Sequence, residues 1–224
     1  MSSSNGHAND IPELDRVCEA IRGGSCIPFL GAGASMGYSF NGIEEPDLPS
    51  GWDLTIKFLR ETGVADEAGV SLLADPDTVN GHTDLRSAMN ILSYDLFKAA
   101  EYYLYKKNNR RSELDRLLPY EVKKADGPRP IHAVIAQLTD IQAVLTTNYD
   151  CLFEEACETY KRELHLHVHE QFRADTAIWR CPAFLKPPQL LLHKMHGCIK
   201  RDNSMIITRA DYIRYLRECR TSRS

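Results

Sequence analysis

Apolar positions along the chain recur with two different periods, and the switching between them sets the expected architecture. Leu14, Val17, Cys18 and Ile21 recur at helical spacing behind Pro12, and Gly23-Gly24 closes that helix. Cys26-Ile27-Pro28-Phe29-Leu30 is a short apolar run that reads as a buried strand, in which Pro28 withholds one ladder hydrogen bond. Residues 37–51 are rich in Gly, Pro, Asn and Asp and read as a loop, after which Trp52, Ile56 and Leu59 share one helix face. Residues 85–107 and 112–118 are helical in pattern, and the block from about 65 to 128 reads as a helical insertion.

Pro130 then opens a helix carrying Ile131, Val134, Ile135 and Leu138. A strand over 141–145 runs into Thr146-Thr147-Asn148-Tyr149-Asp150, and Leu152, Phe153, Ala156 and Tyr160 mark the next helix. Strands are expected over 164–168, 190–195 and 204–207, with a Pro-rich loop over 179–189 and a final helix over 211–218. Residues 1–10 and 220–224 read as polar tails around one domain, 11–219.

Strands alternating with helices imply an α/β fold: a Rossmann-like parallel sheet with helices on both faces, plus the helical insertion. In such sheets ligands sit beyond the C-terminal strand ends. Three segments fall there: 31–35, 146–150 and 196–197.

Composition narrows the function classes. Hydrophobic residues make up 43% and charged residues 26% of 224 residues, ordinary for a soluble domain with a real core. A formal charge of −4 gives no footprint for nucleic acid, and the basic run Lys106-Lys107-Asn108-Asn109-Arg110-Arg111 reads as a solvated helix end. No apolar run is long enough to span a bilayer, and the polar start Met1-Ser2-Ser3-Ser4 is no signal peptide. The seven cysteines show no CxxC spacing, so neither a zinc site nor a disulfide framework is expected. Reduced thiols in a cytoplasmic protein are the expectation.

Gly31-Ala32-Gly33-Ala34-Ser35 follows a strand, where small residues let a backbone approach a pyrophosphate. By itself the segment is equally a tight turn, because the GxGxxG pattern is incomplete: Met36 stands three places past Gly33. Asn148 can donate and accept, and so can hold a hydroxyl, a carboxamide or a water. Asp150 reads equally as a hydrogen-bond acceptor for a ligand or as the start of a helix. His196, at a strand end before Gly197, can act as a base near neutral pH. His165, His167 and His169 alternate along one strand, and a polar strand face explains them better than a metal, since no carboxylate completes a zinc site.

Taken together, Gly31-Ala32-Gly33-Ala34-Ser35, Leu48-Pro49-Ser50-Gly51-Trp52, Ile131-His132, Thr146-Thr147-Asn148-Tyr149-Asp150, Lys194-Met195-His196-Gly197 and Thr208-Arg209-Ala210-Asp211-Tyr212 resemble the bacterial sirtuin-like NADase family of antiphage defence. The resemblance spans about 12–216. It implies NAD glycohydrolase activity that releases nicotinamide and ADP-ribose, with NAD as substrate and no zinc. It implies that Asn148 positions the attacking water and the nicotinamide ribose, and that His196 is the general base. Gly31, Ala32, Gly33 and Ser35 would cradle the phosphates, Asp150 would hold the nicotinamide end, and Thr147 and Gly197 would line the same site.

Two departures shape the expectation. The four-cysteine zinc module of the protein-deacetylating relatives is absent, and Thr147 replaces the glutamine of their Thr-Gln-Asn motif, so hydrolysis is expected rather than deacylation. Family domains also continue past the Asp-Tyr motif with a further strand; here the expectation is either that the sequence is a fragment or that the sheet is completed differently, for example by a partner. Control of a toxic NADase implies a homo-oligomer or a defence partner, an ATPase or an Argonaute-like protein. The other functional class compatible with the same motifs is an NAD or ADP-ribose sensor without turnover.

Overall fold

The elements follow in the order α1 (Pro12–Arg22), β1 (Phe29–Leu30), a 3-10 turn (Ala32–Ser35), β2 (Ser39–Phe40), β3 (Ile43–Glu44), α2 (Gly51–Glu61), α3 (Leu96–Lys106), α4 (Arg111–Leu117), α5 (Pro130–Gln137), β4 (Ala143–Thr146), α6 (Leu152–Thr159), β5 (Leu164–Val168), β6 (Leu190–Lys194) and α7 (Arg209–Thr221). This computed structural model describes residues 12–36, 39–40, 43–44, 48, 51–63, 95–118, 128–169, 188–201 and 204–221. The N-terminal tail, residues 85–94, most of the Pro-rich loop and residues 222–224 lie outside the described residues, and the expected tail from 220 is corrected at its start, because α7 continues through Thr221.

Four strands pair in the order β1-β4-β6-β5, all parallel, as the strand–helix alternation implies. β2 and β3 form a separate antiparallel pair. One sheet face is buried through Leu30, Val144, Leu190 and Leu192, which pack with Ile135 and Ala136 of α5 and Phe153, Ala156 and Cys157 of α6. The opposite face, carrying Phe29, Leu145, Leu191 and His193, is only partly covered by the described residues.

A second core is helical. Leu54 and Phe58 of α2, Ala99, Ala100 and Tyr103 of α3 and Leu114 of α4 close around Met205 and Ile207. Part of the expected insertion is therefore built as helices that grip the segment preceding α7. Local sequence explains where these helices start. Asp95 caps α3 by accepting from the Phe97 amide at 3.0 Å. Pro130 opens α5, where its missing N–H costs nothing. Thr208 and Asp211 cap α7 reciprocally: the Asp211 amide donates to Thr208 Oγ1 and the Thr208 amide to Asp211 Oδ2, each at 3.0 Å.

Three further expectations are corrected. Residues 204–207 form no strand, because their backbone groups are spent elsewhere. Arg111 donates to the Met205 carbonyl, Tyr149 to that of Ile206, and the Ile207 amide donates to Asp211. On α5 the buried side carries His132, Ile135 and Ala136, while Ile131 and Val134 are exposed. The strand expected from Cys26 begins only at Phe29, although the Pro28 carbonyl still accepts from Leu145.

Candidate active site

The strand register brings the three sequence-selected segments together. Leu30 pairs with Thr146, and Thr146 with Lys194, so one row ends β1, β4 and β6 at the same edge. From that row the chain leaves as the glycine loop, the Thr147–Asp150 segment and the Met195–Gly197 segment. Hydrogen bonds fix the exits: Thr147 amide to Leu30 carbonyl at 3.2 Å, and Met195 amide to Thr146 carbonyl at 2.9 Å. The Thr146 hydroxyl donates to the Leu30 carbonyl and accepts from the Asn148 amide, which turns Asn148 over the glycine loop.

Asn148 ties that loop down. Its Nδ2 donates to the Gly31 carbonyl and to Ser35 Oγ, both at 2.9 Å, and Ser35 Oγ donates to Asp150 Oδ2 at 2.8 Å. Oδ1 of Asn148 carries none of these bonds, so the acceptor end of the amide is the end a water or hydroxyl can use. Asp150 Oδ1 accepts from the Leu152 amide at 3.0 Å, at the start of α6. Both its oxygens are engaged by protein donors, Oδ1 by the first turn of α6 and Oδ2 by Ser35 of the glycine loop.

The glycine loop is a 3-10 turn, not the start of an α-helix, with the Ala34 amide donating to the Gly31 carbonyl at 3.0 Å. Gly31 has extended backbone that any residue adopts. What glycine provides is room: a Cβ built on Gly31 or Gly33 meets nothing within 4 Å. Ser35 is buried, whereas Ala32 and Gly33 are exposed.

His196 is half-buried, its ring lying edge-on to Tyr212 and Tyr215 of α7 at 6.3 Å. Burial lowers its pKa below the ordinary histidine value, so it is neutral and basic at neutral pH. Gly197 adopts a φ of +91°, and its Cα lies so close to the 204–205 backbone that no side chain fits. The Ile206 amide donates to the His196 carbonyl at 2.9 Å, docking this turn on the buried 204–207 segment.

Sequence reasoning missed Lys194. It is fully buried at the end of β6, donates to Glu154 Oε1 at 2.8 Å and to the Tyr149 carbonyl at 3.3 Å, and also reaches the Asp150 carbonyl. A lysine ending the apolar run Leu190-Leu191-Leu192 was the signal, because a buried ammonium requires a carboxylate opposite it. Also missed was the approach of Cys151 and Cys198, 47 residues apart in sequence, with sulfurs 3.7 Å apart. The histidines on β5 do not converge on one another. His167 Nδ1 lies 2.7 Å from His193 Nδ1, His165 faces Glu163, and His169 packs on Tyr215 beside Glu218.

Residues 142–223 match the family described as "SIR2-like domain". The matched stretch holds Asn148, Asp150, His196 and Gly197, and the glycine loop joins it through the pairing of β1 with β4. The protein described as "NAD(+) hydrolase ThsA" from Enterococcus faecium is 27% identical over 204 residues, covering 90% of this chain and 34% of that relative. A match of that extent takes in the glycine loop along with most of residues 142–223. The chain spans about a third of the length of this relative.

Proposed function

We propose that this chain is an NAD glycohydrolase that cleaves NAD to nicotinamide and ADP-ribose. The observation carrying the proposal is the row Leu30, Thr146 and Lys194, which sets Asn148, the glycine loop and His196 side by side at one sheet edge. The similarity to an NAD(+) hydrolase points to the same chemistry. Gly31, Ala32, Gly33 and Ser35 receive the pyrophosphate, where the open side of Gly31 and Gly33 leaves room for it. Thr147 and Gly197 line the cleft, and Asp150 supports it through Ser35.

In this reading the acceptor oxygen of Asn148 holds the attacking water or a ribose hydroxyl. His196, kept neutral by burial, takes the proton. The water oxygen bonds to the ribose anomeric carbon, and nicotinamide leaves with the electron pair of the glycosidic bond as a neutral pyridine. The leaving group needs no acid, so one base suffices. By family resemblance the biological output is NAD depletion in antiphage defence, within a longer protein or an assembly.

Nicotinamide release from NAD by the purified protein is the test. His196→Ala is expected to slow it by on the order of 10²–10⁴-fold, the usual contribution of a general base. Asn148→Ala is expected to slow it by at least on the order of 10²-fold. Tight NAD binding with no release, from the protein in its full assembly, would establish a sensor instead.

A further inference from the structure

Beside the NAD cleft lies a buried pair of thiols. Cys151 follows Asp150 and leads into α6, and Cys198 follows Gly197. Both are free and buried, with sulfurs 3.7 Å apart. Lys194 and Glu154 flank them, the two charges paired at 2.8 Å. The hydrogen bond shared with Cys151 and the ammonium of Lys194 hold Cys198 well below the ordinary thiol value, while the same bond and burial push Cys151 up. A thiol of lowered pKa within reach of a second thiol is the arrangement in which the first attacks an oxidant and the second resolves the product.

We propose that Cys151 and Cys198 form a redox-modification site that closes to a disulfide on reaction with a peroxide, cross-linking the start of α6 to the His196 turn. The Cys198 thiolate attacks one peroxide oxygen, the O–O bond breaks, and hydroxide leaves, giving a sulfenic acid. The Cys151 sulfur then attacks the sulfenic sulfur. The S–O bond breaks, and the oxygen leaves as water with the proton of the Cys151 thiol. The two sulfurs lose two electrons in all, and the peroxide is reduced to one water and one hydroxide, which takes up a proton from solvent.

The S–S bond length of about 2.05 Å requires the sulfurs to approach by roughly 1.5–2 Å. That movement pulls on Asp150 and Gly197, the immediate neighbours of the pair, and so on the Asn148 and His196 segments. Only this consequence for turnover rests on the NAD glycohydrolase reading. A metal ion is the competing use of the same atoms, since the two sulfurs and a Glu154 oxygen lie within 4.8 Å of one another. Lys194 decides between them: its ammonium already neutralises Glu154 and stands where a cation would have to enter.

The test is hydrogen peroxide titration of the reduced full chain, followed by thiol blocking and tryptic peptide mapping. Cys157→Ser is used as the background, because Cys157 shares a tryptic peptide with Cys151. The expected result is a cross-link between the Met195–Lys200 peptide and the peptide carrying Cys151. Dithiothreitol reverses it, and Cys198→Ser abolishes it. Nicotinamide release is expected to fall at least tenfold on oxidation and to recover on reduction, and to be indifferent to peroxide in Cys198→Ala. Over-oxidation of Cys198 without a cross-link would overturn the proposal. So would zinc retained stoichiometrically by the reduced protein after dialysis. A cross-link that leaves turnover unchanged would overturn the coupling to the active site. A cross-link in a protein with no NAD hydrolysis in its full assembly would leave the redox site standing and overturn the enzymatic reading alone.

Discussion

Replacing Gly197 with alanine tests how tightly the His196 turn is built onto the 204–207 segment. The added Cβ would sit 2.2 Å from the Ser204 carbonyl oxygen, 2.4 Å from its carbon and 2.8 Å from the Met205 Cα. Ordinary contacts between such atoms lie near 3.5 Å, so one backbone must retreat by about 1 Å. Neither is free to do so. Ser204 Oγ accepts from the Cys198 amide, Ile206 donates to the His196 carbonyl, and Met205, Ile206 and Ile207 are almost completely buried.

Two costs add in Gly197→Ala. Holding a Cβ at a φ of +91° costs about 1–2 kcal/mol, and forcing bulk into packed structure about 1–3 kcal/mol more. A loss of roughly 2–5 kcal/mol is expected, read from the urea midpoint by circular dichroism, together with impaired nicotinamide release as His196 is displaced. Gly33→Ala is the contrast. Its Cβ meets nothing, so stability should stay within about 0.5 kcal/mol of the parent while the KM for NAD rises, because the methyl occupies the space given to the pyrophosphate. An alanine at 197 that left the midpoint within about 0.5 kcal/mol would refute the reasoning.

Other predictions concern charge. Arg111 bridges α4 to α7 through Asp211 at 2.6 Å, with both side chains largely buried, so Arg111→Met is expected to cost about 2–4 kcal/mol in denaturant unfolding. Burial alone would raise the Asp211 carboxyl, but Arg111 more than offsets it and holds the pKa below the ordinary value. A depressed folded pKa stabilises above the unfolded value of about 3.9 and is lost as pH falls through the folded one. The Asp211 contribution should therefore fade below about pH 4, and this acid-sensitive component should shrink in Arg111→Met. His196 must be neutral to act as base, and its pKa is lowered. The acid limb of the kcat/KM profile for nicotinamide release should accordingly break below pH 6.5, and a break above that value would remove His196 from the role.

Periodicity exposed the sheet because its strands are short and carry apolar side chains on the buried face. Residues 164–168 form β5 as expected, and the apolar run from Leu190 ends at Lys194, one residue early. Strand ends flanked by Gly, Asn and His marked the candidate site for the same reason: in a parallel sheet, polar groups after an apolar run gather at one edge. Residues 204–207 show where the method stops. Four buried residues at strand-like hydrophobicity gave no sign that their carbonyls and amides would be taken by Arg111, Tyr149 and Asp211, partners that come from other elements. The thiol pair was hidden for the same reason, since spacing rules detect neighbours in sequence and Cys151 and Cys198 are neighbours only through β4 and β6.

Lys194 links these observations, because it makes the site depend on register. A parallel sheet of Leu, Ile and Val side chains discriminates weakly between registers that keep the same face buried. A buried ammonium does not. In the observed register, where Thr146 pairs with Lys194, the ammonium meets Glu154 and the carbonyls of Tyr149 and Asp150. A shift of β6 by two residues along β4 keeps the apolar pattern but moves Lys194 roughly 6–7 Å away from those partners. An unpaired buried charge costs several kcal/mol, far more than the packing difference between leucine rows. The pairing that neutralises Lys194 is also the one that sets His196 beside Asn148 and Cys198 beside Cys151. That one charge selects the alignment on which both the proposed site and the thiol pair depend.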